Sequence, residues 1–304
     1  MPPVQAIVGA MTAGVSAATG GTGIVVEHVA RSFGDVHAVR DVTFFARPGE
    51  VTALVGPNGS GKTTLLLMLA SLLAPDSGRI TIEGRDPMTD PLGVRAVTGW
   101  MPDILGSWGS LTARETLALT GRLYDMPKDA AASRAAELLS LVDLADLADR
   151  PTKVLSRGQK QRLSLARALV HDPRVLLLDE PASGLDPAAR VHLRTMLRGF
   201  AAEGRTVLVS SHILSELEEM ADAAVFIDAG TSVSAERVAA AKAATRAWRY
   251  TTVDGRTESV MITGGDADAA AVLAGLVRDG VQVVTFAPAV GDLEHTFLDL
   301  EAGR

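Results

Sequence analysis

Gly56-Pro57-Asn58-Gly59-Ser60-Gly61-Lys62-Thr63-Thr64 is the stretch of this sequence best suited to chemistry on a polyphosphate. Its spacing, G-x-x-x-x-G-K-T, is the Walker A pattern. Glycines let the backbone close around a phosphate with its N–H groups inward, Lys62 reaches the β- and γ-phosphates, and the Thr63 hydroxyl takes one position on Mg²⁺. A nucleoside triphosphate is therefore the expected ligand. A second cluster is Asp179-Glu180, which ends the apolar run Val175-Leu176-Leu177-Leu178. An open α/β sheet binds its ligand outside the carboxyl ends of its strands, so this pair falls beside a bound metal and γ-phosphate. Asp179 is assigned to the metal, mostly through water, and Glu180 to orienting or deprotonating the attacking water. His212 follows another apolar run, Thr206 to Ser211, and so reaches the same edge as a second catalytic candidate. In Ser156-Arg157-Gly158-Gln159, Ser156 and Gln159 have capping-box spacing, which exposes a helix N-terminus whose N–H groups and dipole favour an anion.

These residues need elements to hold them. Val51, Ala53, Leu54 and Val55 form a β-type run before the glycine loop, and the apolar text after Thr64 is long enough for a helix. Leu163, Ala166, Leu169 and Val170 mark one face of a helix that Pro173 stops. Ser183-Gly184-Leu185-Asp186-Pro187 is a turn into a further helix. Upstream, strands are expected at Ile24–Glu27 and Val42–Phe45 around Phe33-Gly34-Asp35, and at Ile80–Glu83 after the turn Pro75–Gly78. Together they suggest an antiparallel accessory sheet beside the nucleotide fold. From Leu111 to Asp149 the alanine- and leucine-rich text, with a capping box at Thr112 and Glu115, predicts a helical insertion of two or three helices. After a helix at Ala235–Ala244, strands at Trp248–Val253 and Ser259–Ile262, a helix at Asp266–Val277, a strand at Val281–Phe286 and a helix at Asp292–Leu300 make a small ββαβα unit.

The fold expected is thus α/β: a P-loop NTPase-type parallel core sheet with an antiparallel accessory sheet and a helical insertion, plus a small C-terminal α+β domain. The boundaries are a tail over residues 1–23, a nucleotide-binding domain over 24–235 and an accessory domain over 236–304. In the first segment no residue is charged, and Pro2, Pro3 and five glycines interrupt it, so it reads as a flexible tail rather than a signal peptide. The chain's 29 basic and 36 acidic residues, net −7, lack the basic excess of a nucleic-acid binder. There is no cysteine, which removes disulfides and thiolate metal sites and fits a reducing cytoplasm. Nowhere do about 20 strongly apolar residues run together, so a bilayer span is not expected within these residues.

In order, GPNGSGKT, LSRGQ, LLLLDEP, SGLD and SSH resemble the Walker A, signature, Walker B, D-loop and switch-histidine motifs of ATP-binding cassette (ABC) ATPases, over about Ile24 to Ala235. The resemblance implies that two nucleotide-binding domains pack head to tail around two ATP molecules. Ser156, Gly158 and Gln159 of one would face the γ-phosphate held by Gly59, Lys62 and Thr63 of the other. It also implies that Phe33 stacks on adenine and that His212 contacts the γ-phosphate. Two positions depart from the family pattern. Arg157 stands where glycine is commonest, and Asp103 of Gly99-Trp100-Met101-Pro102-Asp103 stands where the family has a glutamine. Asp103 keeps an oxygen for Mg²⁺ but is shorter, has no N–H donor and adds a negative charge beside ATP.

The ending DLEHTFLDL resembles the tail of export-type ABC subunits that serve drug, polysaccharide or lipid exporters and some membrane-bound permeases. The reading implied is an ATP-hydrolysing subunit, using ATP and Mg²⁺, that energises a separate membrane permease of the exporter type from the cytoplasmic face. Soluble ABC-type ATPases acting on nucleic acid or the ribosome are the competing class. They usually carry tandem cassettes or a long coiled-coil insertion, and neither is present, so no nucleic-acid partner is expected. A nucleotide switch without turnover is disfavoured by the presence of both Glu180 and His212.

Overall fold

The computed structural model describes residues 22–103, 106 and 109–302, so nearly all of the expected N-terminal tail lies outside the described residues. The chain opens with strands β1 (Ile24–Phe33), β2 (Val36–Ala46) and β3 (Val51–Val55), then helix α1 (Lys62–Leu69). There follow β4 (Ser77–Ile82), α2 (Pro91–Val97), β5 (Thr98–Met101), α3 (Ala113–Leu123), α4 (Lys128–Leu141) and α5 (Arg157–Ala168). Next come β6 (Val175–Asp179), α6 (Pro187–Ala202), β7 (Thr206–Ser210), α7 (Leu214–Met220), β8 (Ala223–Asp228) and β9 (Thr231–Ser232). The remainder is α8 (Ala235–Ala243), β10 (Arg246–Thr252), β11 (Thr257–Ile262), α9 (Asp266–Arg278), β12 (Val283–Pro288) and α10 (Asp292–Ala302). The chain divides into two compact units, one of residues up to 213 with 219–232, the other of 214–218 with 233–304.

The first unit is built on a nine-stranded sheet in the order β4-β1-β2-β9-β8-β3-β7-β6-β5. β3, β6 and β7 are buried at every residue, as apolar parallel strands must be when covered on both faces. Their parallel pairing sets Leu54 against Ser210 and Asp179 against Ser210, so the ends of all three strands share one edge. β1, β2 and β4 pair antiparallel, as expected, but they do not form a sheet apart. The two-residue β9 pairs parallel with β2 through Asp41 and Thr231, and antiparallel with β8, which joins the accessory strands to the core. Leu65, Leu66, Met68 and Leu69 of α1 pack with Leu54, Leu177 and Leu208 in one core. At about 1.5–3 kcal/mol per fully buried side chain, this packing ties α1 firmly to the strands that carry the carboxylates.

The helical insertion follows its capping chemistry. At the start of α3 the Glu115 amide donates to Thr112 Oγ1 at 3.1 Å, and the Thr112 amide donates to Glu115 Oε2 at 2.8 Å. α4 buries Ala131, Ala135, Leu138 and Leu139, a helical stripe of two alanines and two leucines. Gly121 allows the close approach, since a Cβ there would lie 3.0 Å from that of Ala131. In the second unit the antiparallel sheet β11-β10-β12 packs Trp248, Val260, Ile262 and Phe286 against Ala269 and Val272 of α9. This is the expected ββαβα order, with β10 and β11 beginning two residues earlier and β12 two residues later than the sequence suggests.

Loss of the Thr112 hydroxyl removes one side of the capping box, worth about 1 kcal/mol. Thr112→Ala should therefore speed amide exchange in the first turn of α3 by about fivefold, read by hydrogen-exchange mass spectrometry. Exchange at the wild-type rate would mean that tertiary packing alone holds that helix end.

Candidate functional site

The phosphate loop leaves β3 between β8 and β7, in the middle of the sheet. Gly61 ends it with φ +99°, a left-handed conformation natural to glycine, and a Cβ there would meet the Ala38 carbonyl at 2.3 Å. Only glycine lets α1 begin at this point. The ammonium of Lys62 folds back to donate to the carbonyls of Gly56 (2.6 Å) and Pro57 (3.0 Å). Burial pushes this ammonium below the usual lysine range, opposed by the negative charges of Glu180 and Asp179. Ser60 is buried and its hydroxyl has no hydrogen-bond partner among the described residues, while Asn58 and Gly59 are exposed and Thr64 is half-buried on α1. The first N–H groups of α1 have no intrahelical acceptor. A buried cation, an unpartnered hydroxyl and free helix N–H groups fit a phosphate, whose charge-assisted bonds would replace the weaker ones Lys62 makes to carbonyls.

Asp179 closes β6 with 2% of its surface exposed. Thr63 Oγ1 donates to its Oδ2 at 3.0 Å, and Ser210 Oγ donates to its Oδ1 at 2.5 Å. Among the described residues there is no group of three or more acidic, histidine or cysteine side chains that would hold a metal. The Thr63–Asp179 oxygen pair fits Mg²⁺, which takes few protein ligands and fills its shell with water and phosphate. These two residues would hold the ion, which would neutralise phosphate charge.

Glu180, one residue on, has φ +52°, a left-handed conformation uncommon outside glycine. Its amide donates to the Ser210 carbonyl at 3.2 Å, and its own carbonyl accepts from Gln161 Nε2 at 2.7 Å and from the Ser183 amide at 3.1 Å. Its carboxylate Oε2 lies 2.6 Å from His212 Nδ1. The sequence reading therefore placed Glu180 and His212 at one edge, and they are in direct contact. Gln161 and Ser210 escaped that reading, because a glutamine inside a helix and a serine ending a strand carry no pattern of their own.

The remaining candidates are spread more widely. Ser156 caps α5, accepting the Gln159 amide at 3.2 Å while its own amide donates to Gln159 Oε1 at 2.8 Å. Among the described residues no hydrogen bond joins Ser156, Gly158 or Gln159 to the phosphate loop of the same chain. Phe33 ends β1 half-exposed, with the Arg31 guanidinium 5.0 Å from its ring centroid, and so offers aromatic surface for stacking. Asp103 lies two residues beyond β5, whose Met101 pairs with Leu178, and is therefore near the Asp179 edge. It is exposed and makes no hydrogen bond or ion pair with a described residue.

A phosphate loop after β3, a carboxylate pair after β6 and a histidine after β7 define a P-loop nucleoside triphosphatase. Comparison with known proteins narrows the class. The family model described as ABC transporter matches residues 39–183. Over 207 residues the chain is 39% identical to Nod factor export ATP-binding protein I of Burkholderia lata, covering 68% of each chain. It is also 37% identical over 213 residues to daunorubicin resistance ATP-binding protein DrrA3 of Streptomyces coeruleorubidus, with 70% of this chain and 67% of that one covered. A relative named for import, the sulfate/thiosulfate import ATP-binding protein CysA of Thermosynechococcus vestitus, is 40% identical over 209 residues, 68% of this chain and 62% of that one. Among solved structures, a dimeric ATP-binding cassette, MJ0796, in a post-hydrolysis state bound to ADP and Pi superposes with TM-score 0.64 at 26% identity, over 69% of this chain and 97% of that one. The chain belongs to the ABC transporter family and is an ATP-hydrolysing cassette.

Lys62 is the cation of the phosphate loop. A ligand at a hundred times its dissociation constant stabilises the folded state by about 2.7 kcal/mol. The wild type should gain that much with excess Mg-ATP in a thermal melt, and Lys62→Ala should gain essentially nothing. An equal ATP-induced shift in the variant would move the phosphates elsewhere.

Proposed function

We propose that this chain is the ATP-binding subunit of an ABC exporter, energising a permease carried on a separate chain, and that two such cassettes close head to tail around two ATP molecules. The observation that carries the hydrolytic part is the Glu180–His212 contact of 2.6 Å beside the Thr63–Asp179 pair. Lys62 and the N–H groups of the loop hold the β- and γ-phosphates, with Phe33 against the adenine. Glu180 takes a proton from the attacking water, and His212 holds that carboxylate in place and faces the γ-phosphate. Ser156, Gly158 and Gln159 complete the partner's site, since their helix N-terminus is free to meet an anion from another chain.

Among the described residues no helix is long and apolar enough to cross a membrane. A permease in another chain and a peripheral place on the cytoplasmic face are part of the export reading. Cassette identity does not separate export from import, because relatives named for each are comparably similar. The export reading rests on the DLEHTFLDL ending and on the export and resistance names among the relatives. In domain terms the reading assigns 24–235 to the cassette and 236–304 to an accessory domain.

Glu180→Gln should bind ATP normally, lose two to four orders of magnitude of hydrolysis, about the scale of general-base help, and accumulate as an ATP-bound dimer on size exclusion. Steady-state hydrolysis near the wild-type rate would sink the assignment. Asp103 gives a second test. If its carboxylate lies beside the triphosphate, repulsion weakens nucleotide binding when no metal is present. Asp103→Gln and Asp103→Ala should then both bind ATP severalfold more tightly than wild type in EDTA, and only Asp103→Ala should impair stimulation by the permease. Three equal affinities would place the carboxylate too far from the phosphates to matter.

A further inference from the structure

The signature helix grips the turn that carries the general base of its own chain. Arg157 and Gln161 are four residues apart on α5 and so share one helix face. Gln161 is 1% exposed, and its Nε2 donates to the Glu180 carbonyl at 2.7 Å. Arg157 Nη2 donates to Ser183 Oγ at 2.8 Å, and the Ser183 amide donates to that same Glu180 carbonyl at 3.1 Å. Contact along the rest of the turn is close: a Cβ on Gly184 would lie 2.9 Å from Arg157 Cδ, and one on Gly158 would lie 3.1 Å from the Gly184 carbonyl.

The grip matters because Glu180 does not adopt its conformation freely. A non-glycine residue in the left-handed region costs roughly 1–3 kcal/mol and stays there only when its surroundings over-determine it. Here the constraint comes from two sides: Ser210 holds the Glu180 amide, while Gln161, and Arg157 through Ser183, hold its carbonyl. The Ser210 side belongs to the sheet. The other side belongs to a helix whose capping residue, Ser156, is exposed.

We propose that Gln161, supported by Arg157, is a positioning residue that couples the N-terminus of α5 to Glu180 of the same chain. An anion engaged at Ser156 then sets the peptide, and with it the carboxylate, of the base in the other site of the dimer. This rests on the reading of Glu180 as general base and goes beyond it, since neither side chain touches ATP in that reading. It also gives the arginine at the glycine position of the signature a physical role, a tie to the D-loop turn.

The test is a double-mutant cycle on the full chain. Gln161→Met keeps the side-chain volume and removes the donor. It should lower kcat about tenfold while KM for ATP and the ATP-induced melting shift stay within about twofold, a split between turnover and binding that general destabilisation does not produce. In the Glu180→Gln background the same change should cost less than about threefold, because there is no base left to position. Arg157→Met should lower kcat by about threefold, and Arg157→Lys should recover most of that loss. Arg157 is exposed, so its variants carry the same cycle if Gln161→Met does not fold. If Glu180→Gln hydrolyses ATP at the wild-type rate, the functional reading itself fails. If Glu180→Gln is crippled but Gln161→Met and Arg157→Met turn over normally, or if Gln161→Met costs the same in both backgrounds, the coupling alone is overturned.

Discussion

A carboxylate buried to 2% exposure must be surrounded by donors, and in this molecule the donors of Asp179 come from two different elements. Thr63 reaches it from the start of α1, and Ser210 from the end of β7. The bonds require the first turn of α1 to sit over the ends of β6 and β7, and the apolar packing of Leu65, Leu66 and Met68 against Leu177 and Leu208 makes that position the stable one. The phosphate loop is then the only path from β3 to α1, and it has to be tight. Gly61 in its left-handed conformation against Ala38 follows from that closure. The site is thus a consequence of satisfying one buried acid.

Charge at the site points the same way. Lys62 is buried enough for desolvation to disfavour its ammonium, and it stays near Asp179 and Glu180, which support it. It makes its hydrogen bonds to the loop's own carbonyls. A buried cation bonded only to neutral acceptors gains more from a phosphate oxygen than an exposed lysine would, because the local dielectric is low and the lysine is already held in place. The carboxylates that support Lys62 repel that same phosphate. A divalent ion held by Thr63 and Asp179 would reconcile the two, and the oxygen donors for it are present.

Much of this was legible because local chemistry and global fold agree. The glycine loop, the two capping boxes and the five-residue apolar strands each have patterns set by backbone geometry, and each appears where its pattern falls. What escaped the sequence reading was held by distant contacts. β5 is four residues long and contains Gly99, where a Cβ would meet the Ala168 carbonyl at 2.3 Å, so its parallel pairing with β6 makes it a strand and propensity does not. β9 has two residues, too few for any alternation to show, and it is the strand that joins the antiparallel strands to the core. In the site the same division holds. Glu180 and His212 were found by their positions at strand ends, whereas Gln161 acts on a backbone carbonyl, and a contact of that kind leaves no residue-type signature at either partner.

The DLEHTFLDL ending, read from the sequence only as a family likeness, has a local physical account within the second unit. The Leu293 amide at the start of α10 donates to Glu218 Oε1 at 2.9 Å, so a side chain from α7 satisfies an orphan donor of the helix N-terminus. Asp292 pairs with Arg246, Thr296 Oγ1 donates back to the Asp292 carbonyl at 2.7 Å, and Leu293, His295 and Leu300 are buried. Burial pushes the Glu218 carboxyl above its usual range, opposed by the hydrogen bond it accepts from the Leu293 amide, so the cap works best when Glu218 is ionised. Gly291 leaves room for it, since a Cβ there would fall within bonding distance of Glu218 Oε2. Residues 214–218 begin two positions after His212 in the chain, and they belong to the same compact unit as α10. Asp292 thus ties α10 to β10, Thr296 bonds back to the first turn of its own helix, and the Leu293 amide joins α10 to the segment of residues 214–218.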